Sequence, residues 1–323
     1  MKRATKLATI LGLGGAALVA LAAGAEAQSY PNETVKIIVP FQAGSVTDTL
    51  ARALADKLGP MWKQNVIVEN RPGLPGTTSV AKAPADGYTL MVTANGHVIA
   101  KTINKNVQFD PVGDFVGITR LVEVPFVMIV PPSLPAKTLK EFIDLAKSEP
   151  KKYNFSSAGV ASTTFLAGET LRQAAGLELV HLPTKGVPDA ITAVLRGDVA
   201  FYFAPIPNAA EQAKAGNVRM LAVTSPSRHK DVPDVPTVAE AGVPTFKYAS
   251  WFGLMAPKGT PKSVVDKVNA DVHDVLKMPD VVTRLNTLGS LPSPNSPAEF
   301  DAIIAADEQA YAALMKAAGV EAK

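Results

Sequence analysis

The sequence predicts an α/β protein built as two lobes, and three observations carry that prediction. Short β-branched runs alternate with helical patterns along most of the chain, the arrangement that builds a parallel-rich sheet covered on both faces. The 323 residues, 47% of them hydrophobic, supply core for roughly two ordinary domains. The C-terminal part abandons the alternation and turns mostly helical, so it must pack on something earlier in the chain.

The first 27 residues read as an export signal and not as part of the fold. Lys2, Arg3 and Lys6 form a cationic start, Leu7 to Ala23 is apolar and rich in Ala and Gly, and Ala25-Glu26-Ala27 places small residues where a signal peptidase reads. Cleavage is expected after Ala27. No other apolar stretch is long and uninterrupted enough to span a bilayer, which predicts a soluble exported protein.

From Gln28 onward, buried strands are predicted at Thr34 to Val39, Asn65 to Val68, Tyr88 to Thr93, Phe126 to Val130, Val199 to Phe203 and Val218 to Val223, with a shorter one at Tyr153 to Phe155. Helices are predicted at Asp48 to Leu58, Thr138 to Lys147, Thr163 to Ala174, Pro188 to Leu195 and Asn208 to Ala215. After Trp251 to Met255 come three more, at Pro261 to Leu276, Pro279 to Leu285 and Pro297 to Ala318. Each opens on a proline, which suits a first turn that needs no amide hydrogen. The run Asp231-Val232-Pro233-Asp234-Val235-Pro236-Thr237 fits neither a central strand nor a helix and reads as a surface connection. An economical arrangement has the chain leave the first lobe near Val124-Pro125, build the second, and return near Trp251. The expected lobes are therefore residues 28–125 with 250–323, and residues 126–249.

Composition removes several function classes. With 32 Lys plus Arg against 29 Asp plus Glu, the chain lacks the basic field that holds a nucleic-acid backbone, so no nucleic-acid partner is expected. There are no cysteines, which excludes disulfides, thiolate metal sites and cysteine nucleophiles. His97, His181, His229 and His273 fall at no familiar ligand spacing, and neither a GxSxG elbow nor a phosphate-binding loop occurs. A scattered catalytic triad leaves no such motif and stays open as an alternative at this point. No metal and no cofactor is expected.

Two strand-to-helix loops stand out. The first runs from Pro40 to Asp48 and contains Phe41, Ala43, Gly44 and Ser45. The second runs from Ser156 to Thr164 and contains Ser157, Gly159, Ala161, Ser162 and Thr163. Each joins glycine, which lets a ligand approach the backbone, to small hydroxyl residues ahead of a helix whose first amides lack internal partners. A helix start of this kind suits an anion, because it offers N–H donors and about half a unit of positive charge. The plainer reading is an ordinary turn with Thr47 or Ser162 capping a helix. Two matching loops, expected in different lobes, favour a clamp on a ligand anion. Asp48 fits a capping and dipole role better than ligand contact, and it would select a donor group if it did face the ligand.

At these residues the sequence resembles the Bug family of periplasmic solute-binding proteins, the receptors of tripartite tricarboxylate transporters. The matching segments include Ile38-Val39-Pro40-Phe41, Ala43-Gly44 with Asp48, Ala51 and Arg52, Val68-Glu69-Asn70-Arg71-Pro72-Gly73, Asp86-Gly87-Tyr88-Thr89-Leu90, Leu166-Ala167-Gly168-Glu169, Lys185-Gly186, Leu221-Ala222-Val223-Thr224-Ser225 and Pro233-Asp234-Val235-Pro236-Thr237. Ala256-Pro257 and Gly259-Thr260-Pro261 complete the series. The resemblance implies a type II periplasmic-binding-protein fold, with two lobes joined by a two-strand hinge and closing on a small carboxylate. It implies that the carboxylate is held, partly through ordered waters, by Phe41 to Asp48 and Ser157 to Thr164, with the loop Ala94-Asn95-Gly96 and residues near Thr184 and Phe203 lining the same cleft. Three positions depart from the pattern common in relatives: Ser45 in place of a second glycine, Phe165 in place of a frequent histidine, and Thr184 in place of a frequent tyrosine. These departures suggest a reshaped pocket.

The function expected is capture of a small organic acid, a mono- or dicarboxylate, and its delivery by a monomeric periplasmic receptor to a permease of two integral membrane subunits, with no chemistry performed. Presentation of the loaded receptor to a membrane sensor kinase is the first alternative. A periplasmic hydrolase or lyase using Asp48 or a serine is the second.

Overall fold

A computed structural model describes residues 30–160, 162–248, 250–320 and 322. The predicted export signal, residues 1–27, and the predicted site residue Ala161 lie outside the described residues. Among the described residues no helix is long and apolar enough to cross a membrane.

The first sheet has six strands in the order β11-β4-β10-β3-β1-β2. They are β1 (Val35–Val39), β2 (Val66–Asn70), β3 (Thr89–Ala94), β4 (Phe115–Glu123), β10 (Trp251–Pro257) and β11 (Leu291–Pro292). The second has five in the order β7-β6-β8-β5-β9. They are β5 (Phe126–Val130), β6 (Asn154–Ser157), β7 (Val180–Pro183), β8 (Phe201–Pro205) and β9 (Arg219–Val223). The helices are α1 (Val46–Trp62), α2 (Leu74–Ala81), α3 (Ala100–Ile103), α4 (Leu139–Ser148), α5 (Thr163–Ala174), α6 (Val187–Arg196), α7 (Ile206–Lys214), α8 (Lys262–Val275), α9 (Pro279–Thr287) and α10 (Pro297–Ala317), with a 3₁₀ turn at Asn95–Ile99 before α3.

Local chemistry accounts for these boundaries. Every residue of β5 is buried, as a run of five apolar residues in mid-sheet requires. Thr138 caps α4 by accepting from Glu141 N–H. Ser296 and Glu299 form a reciprocal capping box at α10, with Pro297 in the first turn.

Both sheets are mixed, not parallel-rich. β1 pairs parallel with β2 and β3, and β6 parallel with β7 and β8. β10 pairs antiparallel with β3 and β4, and β5 antiparallel with β8 and β9. Apart from the short β11, which pairs antiparallel with β4, the antiparallel pairs involve β5, where the chain enters the second sheet, and β10, where it re-enters the first. No local signal marks such returns. The chain crosses between the sheets at Val124-Pro125 and comes back at Trp251, and Val124 N–H donates to Ser250 C=O at 3.2 Å, tying the crossings together. The proline-rich run is irregular as expected but is not confined to the surface. Val232 and Val235 are buried, and Val223 N–H donates to Pro236 C=O.

One apolar core runs through both sheets, joining Leu121, Phe252 and Tyr311 to Phe126, Met128, Phe155 and Phe203. Because side chains alternate along a strand, Val127 and Ile129 of β5 point the other way, into a smaller core with Tyr202 and residues of α6 and α7.

Candidate functional site

The parallel strands β1, β2 and β3 end on the same edge of the first sheet, and their following loops open where ligands bind in α/β sheets, beyond the carboxyl ends of the strands. After β1 the chain turns at Gly44, whose φ of +79° is one that a side chain resists. Ser45 then caps α1, accepting from Asp48 N–H at 3.2 Å. The cap is thus Ser45 and not the expected Thr47, which instead shares a hydrogen bond with Ser45 Oγ at 2.8 Å. Ser45 has φ −69°, so replacing a family glycine here brings no backbone strain.

Asp48 is buried and its carboxylate is fully engaged within its own lobe. Oδ2 accepts from Gly44 N–H at 2.9 Å, Oδ1 accepts from Asn70 Nδ2 at 3.0 Å, and Arg52 Nε reaches both oxygens. Burial pushes the carboxyl pKa up, but the hydrogen bonds from Arg52, Gly44 and Asn70 outweigh it and hold Asp48 below the ordinary carboxylate range. Asp48 therefore shapes the loop from behind. Asn70 also donates to Phe41 C=O, which fixes Phe41 against the end of β2.

The second loop follows β6. Ser162 caps α5 by accepting from Phe165 N–H at 3.1 Å, and Thr164 Oγ1 accepts from Ala158 N–H at 3.0 Å, closing the turn. Ser157 is fully buried, with Oγ 2.7 Å from His181 Nε2 and accepting from Gly159 N–H. Burial pushes the His181 imidazole down to about 4, so it is neutral at ordinary pH. Thr184 N–H and Oγ1 both donate to Ser157 C=O, at 3.0 and 2.8 Å, so Thr184 braces the loop.

These two loops meet across a cavity of about 320 Å³. The first sheet contributes Phe41, the start of α2 at Gly73, Leu74 and Thr77, and the 3₁₀ turn with His97; the second contributes Ala158, Val160 and Ser162. Of the residues singled out from sequence, Phe41, Gly96 and Ser162 line this space, with Pro40, Ala158 and Val160 of the same two loops. Ala43, Gly44, Ser45, Asp48, Ser157, Gly159, Thr163 and Thr164 belong to the same loops without lining it, and Thr184, after β7, lies behind the second loop. Asn95, the first residue of the 3₁₀ turn, is buried and donates to Tyr311 Oη at 3.4 Å. Phe203 is packed between Phe201 and Phe246 in the core and not in the cavity. Phe165 is also buried, its ring 4.5 Å from that of His181, so its place in the family's histidine position alters the packing under the loop and not the cavity wall.

The wall formed by α2 went unread in the sequence, because Arg71-Pro72-Gly73-Leu74-Pro75-Gly76 looks like a turn. Pro75 nevertheless sits in the first turn of α2, where no amide hydrogen is needed, and Gly73 caps it without a side-chain hydrogen bond. The sequence around His97 carries no ligand spacing that would mark it as part of the wall. Its Nε2 lies 2.8 Å from Pro111 C=O, so Nε2 carries the proton, and burial lowers its pKa to about 4. Its ring stacks on Phe109 at 5.9 Å and meets Phe115 edge-on at 4.9 Å.

Residues 50–320 match the family model described as tripartite tricarboxylate transporter family receptor. Protein BugT of Bordetella pertussis is 31% identical over 324 residues, covering 99% of each chain. An R. palustris protein solved with adipate is 30% identical and superposes with a TM-score of 0.78 over 91% of this chain and 100% of that one. MatC from Rhodopseudomonas palustris with bound malate is 32% identical, with a TM-score of 0.75 over 88% and 99% of the two chains.

Proposed function

The chain belongs to the Bug family of tripartite tricarboxylate transporter receptors, and we propose that it captures a small organic carboxylate in the periplasm and passes it, unchanged, to the integral membrane permease of such a system. It is a two-lobed solute-binding receptor and not an enzyme. In this reading the lobes are residues 28–125 with 250–323 and residues 126–249, the exported form begins at Gln28, and the protein works as a monomer. The similar proteins solved with adipate and malate support a carboxylate as the ligand.

The observation that carries the proposal is the cavity walled by Phe41 from one sheet and Ser162 from the other, with the starts of α2 and α5 at its edge. Helix-end amides and hydroxyls can hold an anion without a lysine or arginine; charge-assisted hydrogen bonds contribute about 1.5–3 kcal/mol each, and a few suffice for the ~8 kcal/mol of micromolar binding. Ser162 and Ser45 provide the test, since both cap helices but only Ser162 faces the cavity. Ser162→Ala and Ser45→Ala should each lose about 1 kcal/mol of stability. Calorimetry against a carboxylate panel should show weaker binding for Ser162→Ala alone. Equal affinities for both variants, or no heat from any acid with the wild type, would overturn the proposal.

A further inference from the structure

We propose that His97 is a specificity-determining residue of this receptor: its Nδ1 accepts a hydrogen bond from an O–H or N–H group of the ligand, so the acid captured carries such a donor in addition to its carboxylate. The proposal rests on the carboxylate-receptor reading and deepens it. Three side chains of the cavity wall carry it, Thr77 of α2, Thr93 of β3 and His97 of the 3₁₀ turn, which are only 6%, 2% and 7% exposed. Buried polar groups in folded proteins are nearly always hydrogen-bonded. Among the described residues, however, neither hydroxyl has a partner and Nδ1 has none, and none of the three atoms is sealed from the space they line. They are left for whatever enters the cavity.

The three atoms differ in what they demand. A threonine hydroxyl donates or accepts as it rotates, so Thr77 and Thr93 can both donate to a carboxylate. Leu74 N–H adds a fixed donor, the only amide that the first turn of α2 offers, because Pro75 has none and Gly76 N–H donates to Gly73 C=O at 3.2 Å. Asn104 adds another through Nδ2, since its Oδ1 accepts from Asn106 N–H at 2.8 Å. A carboxylate is thus supplied with donors. His97 is the exception. Its Nε2–H is given to Pro111 C=O at 2.8 Å, and burial keeps the ring neutral, so Nδ1 is a bare lone pair that can only accept. A carboxylate oxygen set against it meets negative charge, and a methylene leaves it unpaired after taking its water. A ligand hydroxyl or amine satisfies it. The demand is the same whether the acid has one carboxylate or two.

Calorimetry on the wild-type exported chain compares acids that differ by one donor: lactate with propionate, 3-hydroxybutyrate with butyrate, and malate and aspartate with succinate. In at least one set the donor-bearing acid should bind at least about tenfold tighter, because the plain acid leaves a buried acceptor unpaired. Equal affinities within every set, the result if a water serves Nδ1, overturn the proposal and leave the receptor reading standing; no heat from any acid overturns both. Two variants, with folding confirmed by circular dichroism, separate recognition from packing. A Gln amide nitrogen can replace Nε2 on Pro111 C=O, and an Asn amide oxygen falls near the place of Nδ1. His97→Gln should therefore reduce the preference to within about threefold while the plain acid binds as before, and His97→Asn should keep it. A preference that survives in His97→Gln, or a loss shared equally by both acids of the set, overturns the proposal. If one variant does not fold, the wild-type sets and the other variant decide.

Discussion

Both carboxylate oxygens of Asp48 are taken up by Gly44, Asn70 and Arg52, which makes it a brace for the first loop. Removing it leaves the Gly44 amide and one of the two Asn70 amide hydrogens without an acceptor, while Arg52, close to half exposed, recovers water. Asp48→Ala should therefore cost about 1–3 kcal/mol in urea denaturation, less than the loss of a fully buried ion pair. Because the folded pKa of Asp48 is depressed, its contribution is present above the ordinary carboxylate range and fades as pH falls through the folded value. The wild type and Asp48→Ala should converge in stability on acidification, and a gap that stays constant down to low pH contradicts the assignment. His97 behaves differently. With a pKa near 4 it stays neutral through the neutral range, so ligand affinity should not change between about pH 6 and 8. A tenfold change in Kd across that interval would mean that His97 gains a proton in the cavity.

At the scale of elements, the clearest fit is between α10 and the first sheet. The Phe300 ring lies over Gly117 of β4 and Gly253 of β10, and a β-carbon at either glycine would run into it. Trp251 meets Phe300 edge-on at 5.1 Å and donates Nε1–H to Asp307 at 2.7 Å. Gly253→Ala should destabilise by about 1–3 kcal/mol through overpacking, read as a lower urea midpoint with an unchanged m-value; a neutral result would show that Phe300 has room to move. Burial raises the Asp307 carboxyl to about 6, against an ordinary value near 3.9, with the Trp251 hydrogen bond opposing the shift. Between about pH 4 and 6 the folded state holds a proton that the unfolded chain has lost, so this group's contribution falls as pH rises through that window. Asp307→Asn should flatten that part of the stability curve, and parallel curves for variant and wild type would refute the shift.

The same glycines explain what was hidden in the sequence. Strands such as Phe126–Val130 and helices such as Thr163–Ala174 could be read because their own apolar spacing and caps define them. β4 went unread because Gly117 breaks its pattern, and the reason for that glycine, Phe300, lies far along the chain. The candidate site was legible in the same uneven way. Gly44, Ser45 and Ser162 announce their turns and caps locally, so both loops could be found, but α2's part in the wall depends on how β1 and β2 align. The buried places of Phe203 and Phe165 depend on packing partners that no local spacing encodes.

At the scale of the whole molecule, the two sheets are not independent bodies, since one core joins Leu121 and Phe252 to Phe126 and Phe155. Tyr248 Oη donates to Thr163 C=O at the start of α5, and α10 packs against α5, so the C-terminal helix braces both halves. Heating should give a single cooperative transition, with calorimetric and van't Hoff enthalpies equal. Two resolved transitions would show that each half melts alone.

The position of β10 has a temporal consequence. It is the seam between β3 and β4, which share no ladder without it, yet it arrives more than a hundred residues after both. A nascent chain emerging from its N-terminus can form the β1, β2 and β3 ladder and much of the second sheet while β4 still waits unjoined. Closing that gap needs the distant Trp251–Pro257 segment, a long-range step that slows assembly and leaves two strand edges open until the final stretch of the polypeptide is delivered.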